Sequence, residues 1–231
     1  MAFSDWEFNK FDGAETVLID TVTPINGAGS LQIFGTGTSD QGYVTMNLTS
    51  IADSGRGRTM AKIQTIFQRN QPSGGGFDHG AGIYFMTSSV TPWVAGQSCY
   101  WAGLSNNGTT TRWAIIKFTN GISAWEASTG AGVLGTSTTN VTADGANTAF
   151  EVEWNNAPEF GGVRMILRAA ASGDTNFGNM SDLITLTDSS APLTNSGVAE
   201  GFLIADVQGV SGSSQVKPRF DDTSVYSLVA A

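Results

Sequence analysis

The chain has one cysteine, Cys99, one histidine, His79, and charged side chains at only 13% of its 231 positions. A lone thiol excludes an internal disulfide. One histidine with one cysteine is too few nitrogen and sulfur ligands for a zinc centre. Basic residues are scarce, 11 against 20 acidic ones for a net charge of -9, and beyond Arg56 and Arg58 they are scattered singly. That excludes a surface that tracks nucleic-acid phosphates, and an acidic membrane leaflet would repel the chain. No apolar run approaches the roughly 20 residues that a bilayer-spanning helix needs, so no membrane insertion is expected. The N-terminus lacks a basic stretch followed by an apolar one, which predicts a chain made in the cytoplasm without export. Nowhere does a helical period with end caps appear, and no internal repeat is visible.

Glycine is plentiful, with 29 positions. Abundant glycine with few charges fits many strands joined by tight turns, and predicts an all-β chain folded as one domain over residues 1–231. The clearest stretch is 147–168. Phe150, Val152 and Trp154 alternate with Glu151 and Glu153, and after a loop Val163, Met165 and Leu167 alternate with Arg164 and Arg168. Paired as a hairpin, the apolar sets share one buried face while carboxylates meet guanidinium groups on the other, with Ile166 breaking the pattern. A sheet buried on one face needs a second layer over it, so this hairpin predicts an antiparallel β-sandwich.

Further extended stretches are expected at 5–11, 16–22, 30–34, 43–48, 59–68, 81–86, 98–104, 112–118, 183–186, 198–207 and 219–228. Asn120-Gly121 is the strongest hairpin signal and predicts that 122–127 pairs back on the preceding strand. The Gly-dense stretch 71–80, which holds Asp78 and His79, reads as a loop. Residues 130–135, GAGVLG, match the dinucleotide-binding pattern by letter only, because a Thr/Ser run follows where a helix would be required.

The ordered series Ala81-Gly82-Ile83-Tyr84-Phe85, Tyr100-Trp101-Ala102-Gly103-Leu104, Ile116-Lys117-Phe118, Phe150-Glu151-Val152-Glu153-Trp154, Leu186-Thr187-Asp188 and Phe220-Asp221-Asp222-Thr223-Ser224-Val225-Tyr226 resembles the concanavalin A-like lectin/glucanase superfamily, in particular its laminin-G-like jelly rolls. The resemblance implies two antiparallel sheets of about six or seven strands each. It also implies that the first and last strands lie side by side, bringing Asp5 and Glu7 near Asp221 and Asp222. Oxygen ligands suit a structural calcium there; the competing reading is that Asp221 accepts backbone hydrogen bonds and Asp222 faces solvent. Glucanases of the superfamily carry E-x-D-x-x-E on one strand. Here Glu151 and Glu153 match its first two carboxylates, but Asn156 replaces the third and can neither ionise nor deliver a proton. The chain is therefore expected not to be an enzyme. Cys99 reads as an inert buried thiol.

Sugar recognition needs exposed aromatic rings flanked by hydrogen-bonding groups. Trp93 is the leading candidate, with Tyr100, Trp101 and Trp125 beside it and Asn106 and His79 as polar partners. Trp6, Trp113 and Trp154 are expected in the core. Two functions follow. One is a structural or decoration protein of a tailed-phage virion, forming a homo-oligomer with other virion proteins and touching host glycans. The other is a free-standing carbohydrate-binding module.

Overall fold

The computed structural model describes residues 6–10, 15–22, 24–27, 29–35, 42–48, 60–69, 78–89, 91, 94–107, 110–121, 132–193, 201–206 and 218–227. Among these residues the strands, in chain order, are β1 (Trp6–Lys10), β2 (Glu15–Asp20), β3 (Ser30–Gly35), β4 (Gly42–Leu48), β5 (Met60–Gln68), β6 (Asp78–Phe85), β7 (Cys99–Asn107), β8 (Thr111–Phe118), β9 (Val133–Ser137), β10 (Asn147–Asn155), β11 (Val163–Ala169), β12 (Ser181–Asp188), β13 (Gly201–Asp206) and β14 (Arg219–Ser227). They form two seven-stranded sheets: β1-β4-β13-β6-β7-β8-β9, the first, and β12-β11-β10-β5-β14-β3-β2, the second. All pairings are antiparallel. The fold is the predicted β-sandwich.

Period-two alternation places the core. Phe150, Val152 and Trp154 of β10 lie opposite Thr65, Ile63 and Ala61 of β5 and opposite Ala169, Leu167 and Met165 of β11, and all of these side chains are buried. From the facing sheet come Ile83 and Phe85 of β6, Tyr100, Ala102 and Leu104 of β7, and Trp113 and Ile115 of β8. The two layers interlock through aromatic rings. Phe85 stacks on Trp154 with centroids 4.7 Å apart, and Trp113 stacks on Phe150 at 5.5 Å. Burying a large side chain is worth about 1.5–3 kcal/mol, so this cluster is the main reason the sheets stay together.

Three sequence expectations change. Asp78 and His79 belong to β6, which begins inside the stretch read as a loop and runs on through the close approach of Gly82 to β7. A Cβ built on Gly82 would stand 2.3 Å from the Ala102 carbonyl oxygen, and one on Gly103 would stand 2.4 Å from the Ala81 carbonyl oxygen. Residues 133–137 form an additional strand, β9, so the GAGVLG stretch runs into a sheet edge. The first and last strands are not neighbours: β1 pairs with β4 in the first sheet, and β14 lies between β5 and β3 in the second. The expected strand at 122–127 lies outside the described residues.

The first sheet is buried on its other side as well. Alternation turns Trp101 away from the core that holds Tyr100 and Ala102. Trp101 nevertheless has 0% exposure, as do its register partner Tyr84 and nearby Cys99 and Ala114, and Ile116 is buried with them. These residues form a second apolar patch, separate from the inter-sheet core.

Candidate functional site

The outer face of the second sheet gathers charge and hydrogen-bonding groups on rigid strands. Register sets Glu151 of β10 between Gln64 of β5 and Arg168 of β11, and sets Glu153 opposite Lys62. Both oxygens of Glu151 are engaged: Oε2 accepts from Gln64 Nε2 and lies 3.2 Å from Lys62 Nζ, while Oε1 accepts from Arg168 Nη1. The same Nη1 donates to Glu153 Oε2 at 2.7 Å, and Arg168 Nε donates to Asp182 Oδ1 of β12 at 2.6 Å. The cross-strand pairing read from the sequence is realised by Arg168. Arg164 instead stands opposite Asn155, with its guanidinium 5.4 Å from the Phe160 ring.

At the β14 end of this network stands Tyr226, opposite Lys62, whose ammonium lies 4.8 Å from the ring centroid. Tyr226 is 44% exposed, the one aromatic side chain among the described residues that counts as exposed. A tyrosine fixed beside a lysine, an amide and a carboxylate has the ingredients for stacking on a sugar and bonding its hydroxyls. A nucleophile or proton donor is another matter. Glu151 is 3% exposed with three donors on its two oxygens, and the Arg168 guanidinium binds both glutamates. Carboxylates held this way serve as fixed acceptors rather than as an acid and base that exchange roles.

The residues chosen from the sequence fall in separate places. Tyr100 and Trp101 are fully buried, on opposite sides of the first sheet, so neither ring offers a face to a ligand. Tyr100 instead donates from its hydroxyl to Asp188 Oδ2 at 2.7 Å. Burial is the main cause that pushes its phenol pKa up, and the Asp188 carboxylate adds to the effect. Cys99 has no exposure, and burial drives its thiol pKa upward, which makes it a poor nucleophile. Asn106 is buried, with its amide donating to Thr111 Oγ1 at 2.9 Å. In register, His79 sits between Asp206 and Asn106. That row lies six residues along β6 from the Phe85–Tyr100 row, about 20 Å at the rise of a strand, so His79 and Asn106 are at the opposite end of the sandwich from the 86–98 connection. Trp93 and Trp125 are outside the described residues.

The proposed calcium ligands also separate. Asp5 is outside the described residues, and Glu7 belongs to the first sheet whereas Asp221 and Asp222 belong to the second. Asp221 Oδ2 accepts from the Asn26 backbone N–H and the Ser30 hydroxyl, both at 2.9 Å, and Oδ1 accepts from the Asp222 N–H at 2.8 Å. Asp222 Oδ2 accepts from Asn26 Nδ2 at 2.8 Å. Donor hydrogens engage both oxygens of Asp221 and Oδ2 of Asp222. The pair tethers the turn between β2 and β3 and does not fit a calcium site.

No protein-family model matches the chain, and no curated protein matches it by sequence. Solved structures do match over its whole length. The exoplasmic/lumenal domain of VIP36, in a form bound to Ca2+ and Man3GlcNAc, superposes with a TM-score of 0.52 at 11% identity, covering 100% of this chain and 86% of that one. The legume lectin-like domain from Entamoeba histolytica gives 0.53 at 10% identity, covering 98% and 91%. The carbohydrate recognition domain of Emp47p gives 0.54 at 10% identity, covering 98% and 90%. The fold is thus the concanavalin A-like sandwich of these lectin domains.

Proposed function

We propose that this chain is a non-catalytic carbohydrate-binding domain whose ligand lies on the outer face of the second sheet, over Tyr226, Lys62, Gln64 and Glu153. The observation that carries the reading is the exposed Tyr226 ring set at the end of a pre-bonded network of amide, carboxylate and guanidinium groups. Fixed donors and acceptors lose little freedom on binding and so favour a polyhydroxylated ligand. The lectin-like structures support the same reading ahead of a virion role, which rests on low charge and on the export signal and catalytic set that the sequence lacks. The connections that hold Trp93 and Trp125 leave β6 and β8 from the end of the sandwich where Phe85 meets Trp154. Trp154 pairs with Ala61, next to Lys62, so those loops start from the same end as the Tyr226 row. They are proposed to extend the contact surface.

A glycan array probed with wild type and with Tyr226→Ala tests the proposal. Binding by wild type that the variant loses is the expected result. A wild type that binds no glycan would overturn the carbohydrate reading, and equal binding by both proteins would move the site elsewhere.

A further inference from the structure

Lys117 is a charged residue in an inward row. On β8 it stands opposite Tyr100, which packs in the inter-sheet core, and its side chain is only 12% exposed. An ammonium so placed needs an acceptor for each of its three N–H bonds, and it has them: Asp188 Oδ2 at 2.7 Å, the Ser190 carbonyl at 2.9 Å and the Ala191 carbonyl at 2.7 Å. The rest of the segment hangs on the same groups. Asp188 Oδ1 accepts from the Ser190 N–H at 3.1 Å, Tyr100 donates to Asp188 Oδ2, and the Leu193 N–H donates to the Tyr100 hydroxyl at 2.9 Å. Ala191 is held at φ 49, a conformation that residues with a Cβ rarely adopt without support from their surroundings.

One carboxylate oxygen and two main-chain carbonyls converging on one positive centre is the oxygen set that a hard cation takes when it organises a loop. We propose that Lys117 is the built-in structural cation of this end of the sandwich, its ammonium filling a cage made by Asp188, Ser190 and Ala191 and ordering residues 188–193 without a metal ion. The cage shares no residue with the carbohydrate site: it packs toward the inter-sheet core, at the end of the sandwich where Phe85 meets Trp154, whereas that site lies on the outer face of the second sheet. It does more than neutralise Asp188, because a cage that binds a cation will accept a free one when the tethered one is removed.

Amide hydrogen exchange of Ser190 and Leu193 tests this in wild type, Lys117→Ala and Lys117→Met. Wild type should exchange at the same rate with calcium or with a chelator. Both variants should exchange about 10- to 100-fold faster at these two amides, the loss expected for charge-assisted hydrogen bonds. Methylammonium should restore protection in Lys117→Ala with a saturable dependence, whereas tetramethylammonium, which has no N–H, should not. Unchanged exchange in the variants, or methylammonium no better than tetramethylammonium, would overturn the proposal. If Lys117→Ala does not fold unaided, recovery on refolding in methylammonium but not in tetramethylammonium supports the cage equally, and no recovery in either overturns it.

Discussion

Phe85 of the first sheet and Trp154 of the second stack face to face, with centroids 4.7 Å apart and planes inclined at 23°. Both are fully buried, and Tyr100 in turn stacks on Phe85 at 5.6 Å. Trp154→Ala and Phe85→Ala should each cost about 3–5 kcal/mol in chemical denaturation. Since the rings share one contact, the double variant should lose less than the sum of the two, and strict additivity would contradict a direct coupling.

Arg168 holds two carboxylates with one nitrogen, and one of them, Glu151, is 3% exposed. Arg168→Met leaves that carboxylate with Gln64 and Lys62 alone, and should destabilise the protein by about 3 kcal/mol, near the lower end of what breaking a buried ion pair costs. Adding Glu151→Gln should recover part of the loss. A double variant worse than Arg168→Met would show that the charge on Glu151 is not the source of the cost.

Gly103 has no room for a side chain, since an added Cβ would lie 2.5 Å from the Gly82 Cα and 2.8 Å from the Trp101 ring. Gly103→Ala must spread β6 and β7, and a destabilisation of about 1–3 kcal/mol is expected from overpacking against backbone. Gly145, with φ 74 and nothing within 4 Å of an added Cβ, is the control for strain without crowding. A Gly103→Ala protein as stable as wild type would refute the close approach.

Burial raises the pKa of both Cys99 and Tyr100, which favours their neutral forms. In native protein at pH 8 the thiol should resist a disulfide reagent and react fully after unfolding. In an alkaline absorbance titration the Tyr100 phenol should remain protonated above the ordinary tyrosine range. The sign follows: ionisation is favoured in the unfolded chain, so stability falls as pH rises through the unfolded tyrosine and cysteine range. Rapid thiol reaction in the native state would contradict the burial.

Much of the sandwich was legible because burial on one side of a strand writes itself as alternation. The 147–168 stretch shows this: β10 and β11 pair as read, and Arg168 reaches both glutamates. What stayed hidden were departures from that period. Phe220 and Val225 both pack toward the core although they are five positions apart, an odd offset that strict alternation would put on opposite faces, because the pairing of β14 with β5 shifts between Asp221 and Ser224. The shift turns Tyr226 outward, so the exposed aromatic is invisible to strict alternation. Trp101 misleads for the opposite reason, since its side of the first sheet is buried too. Glycines at close approaches, such as Gly132 and Gly135, look like loop glycines in a sequence, and so alternation alone passes over β9; β6 is started too late because it begins within a Gly-dense stretch. The side-by-side placement of the first and last strands, on which the calcium reading rested, is a matter of topology that local pattern does not reveal: β1 and β14 belong to different sheets.

The carbohydrate site is tested most directly by titrating isotope-labelled protein with a glycan selected from the array, following backbone and side-chain amide shifts. The largest shifts should cluster on the outer face of the second sheet, at Lys62, Gln64, Glu153, Asn155 and Tyr226. Shifts confined to the His79–Asn106 end of the sandwich, with that face unmoved, would contradict the proposed site.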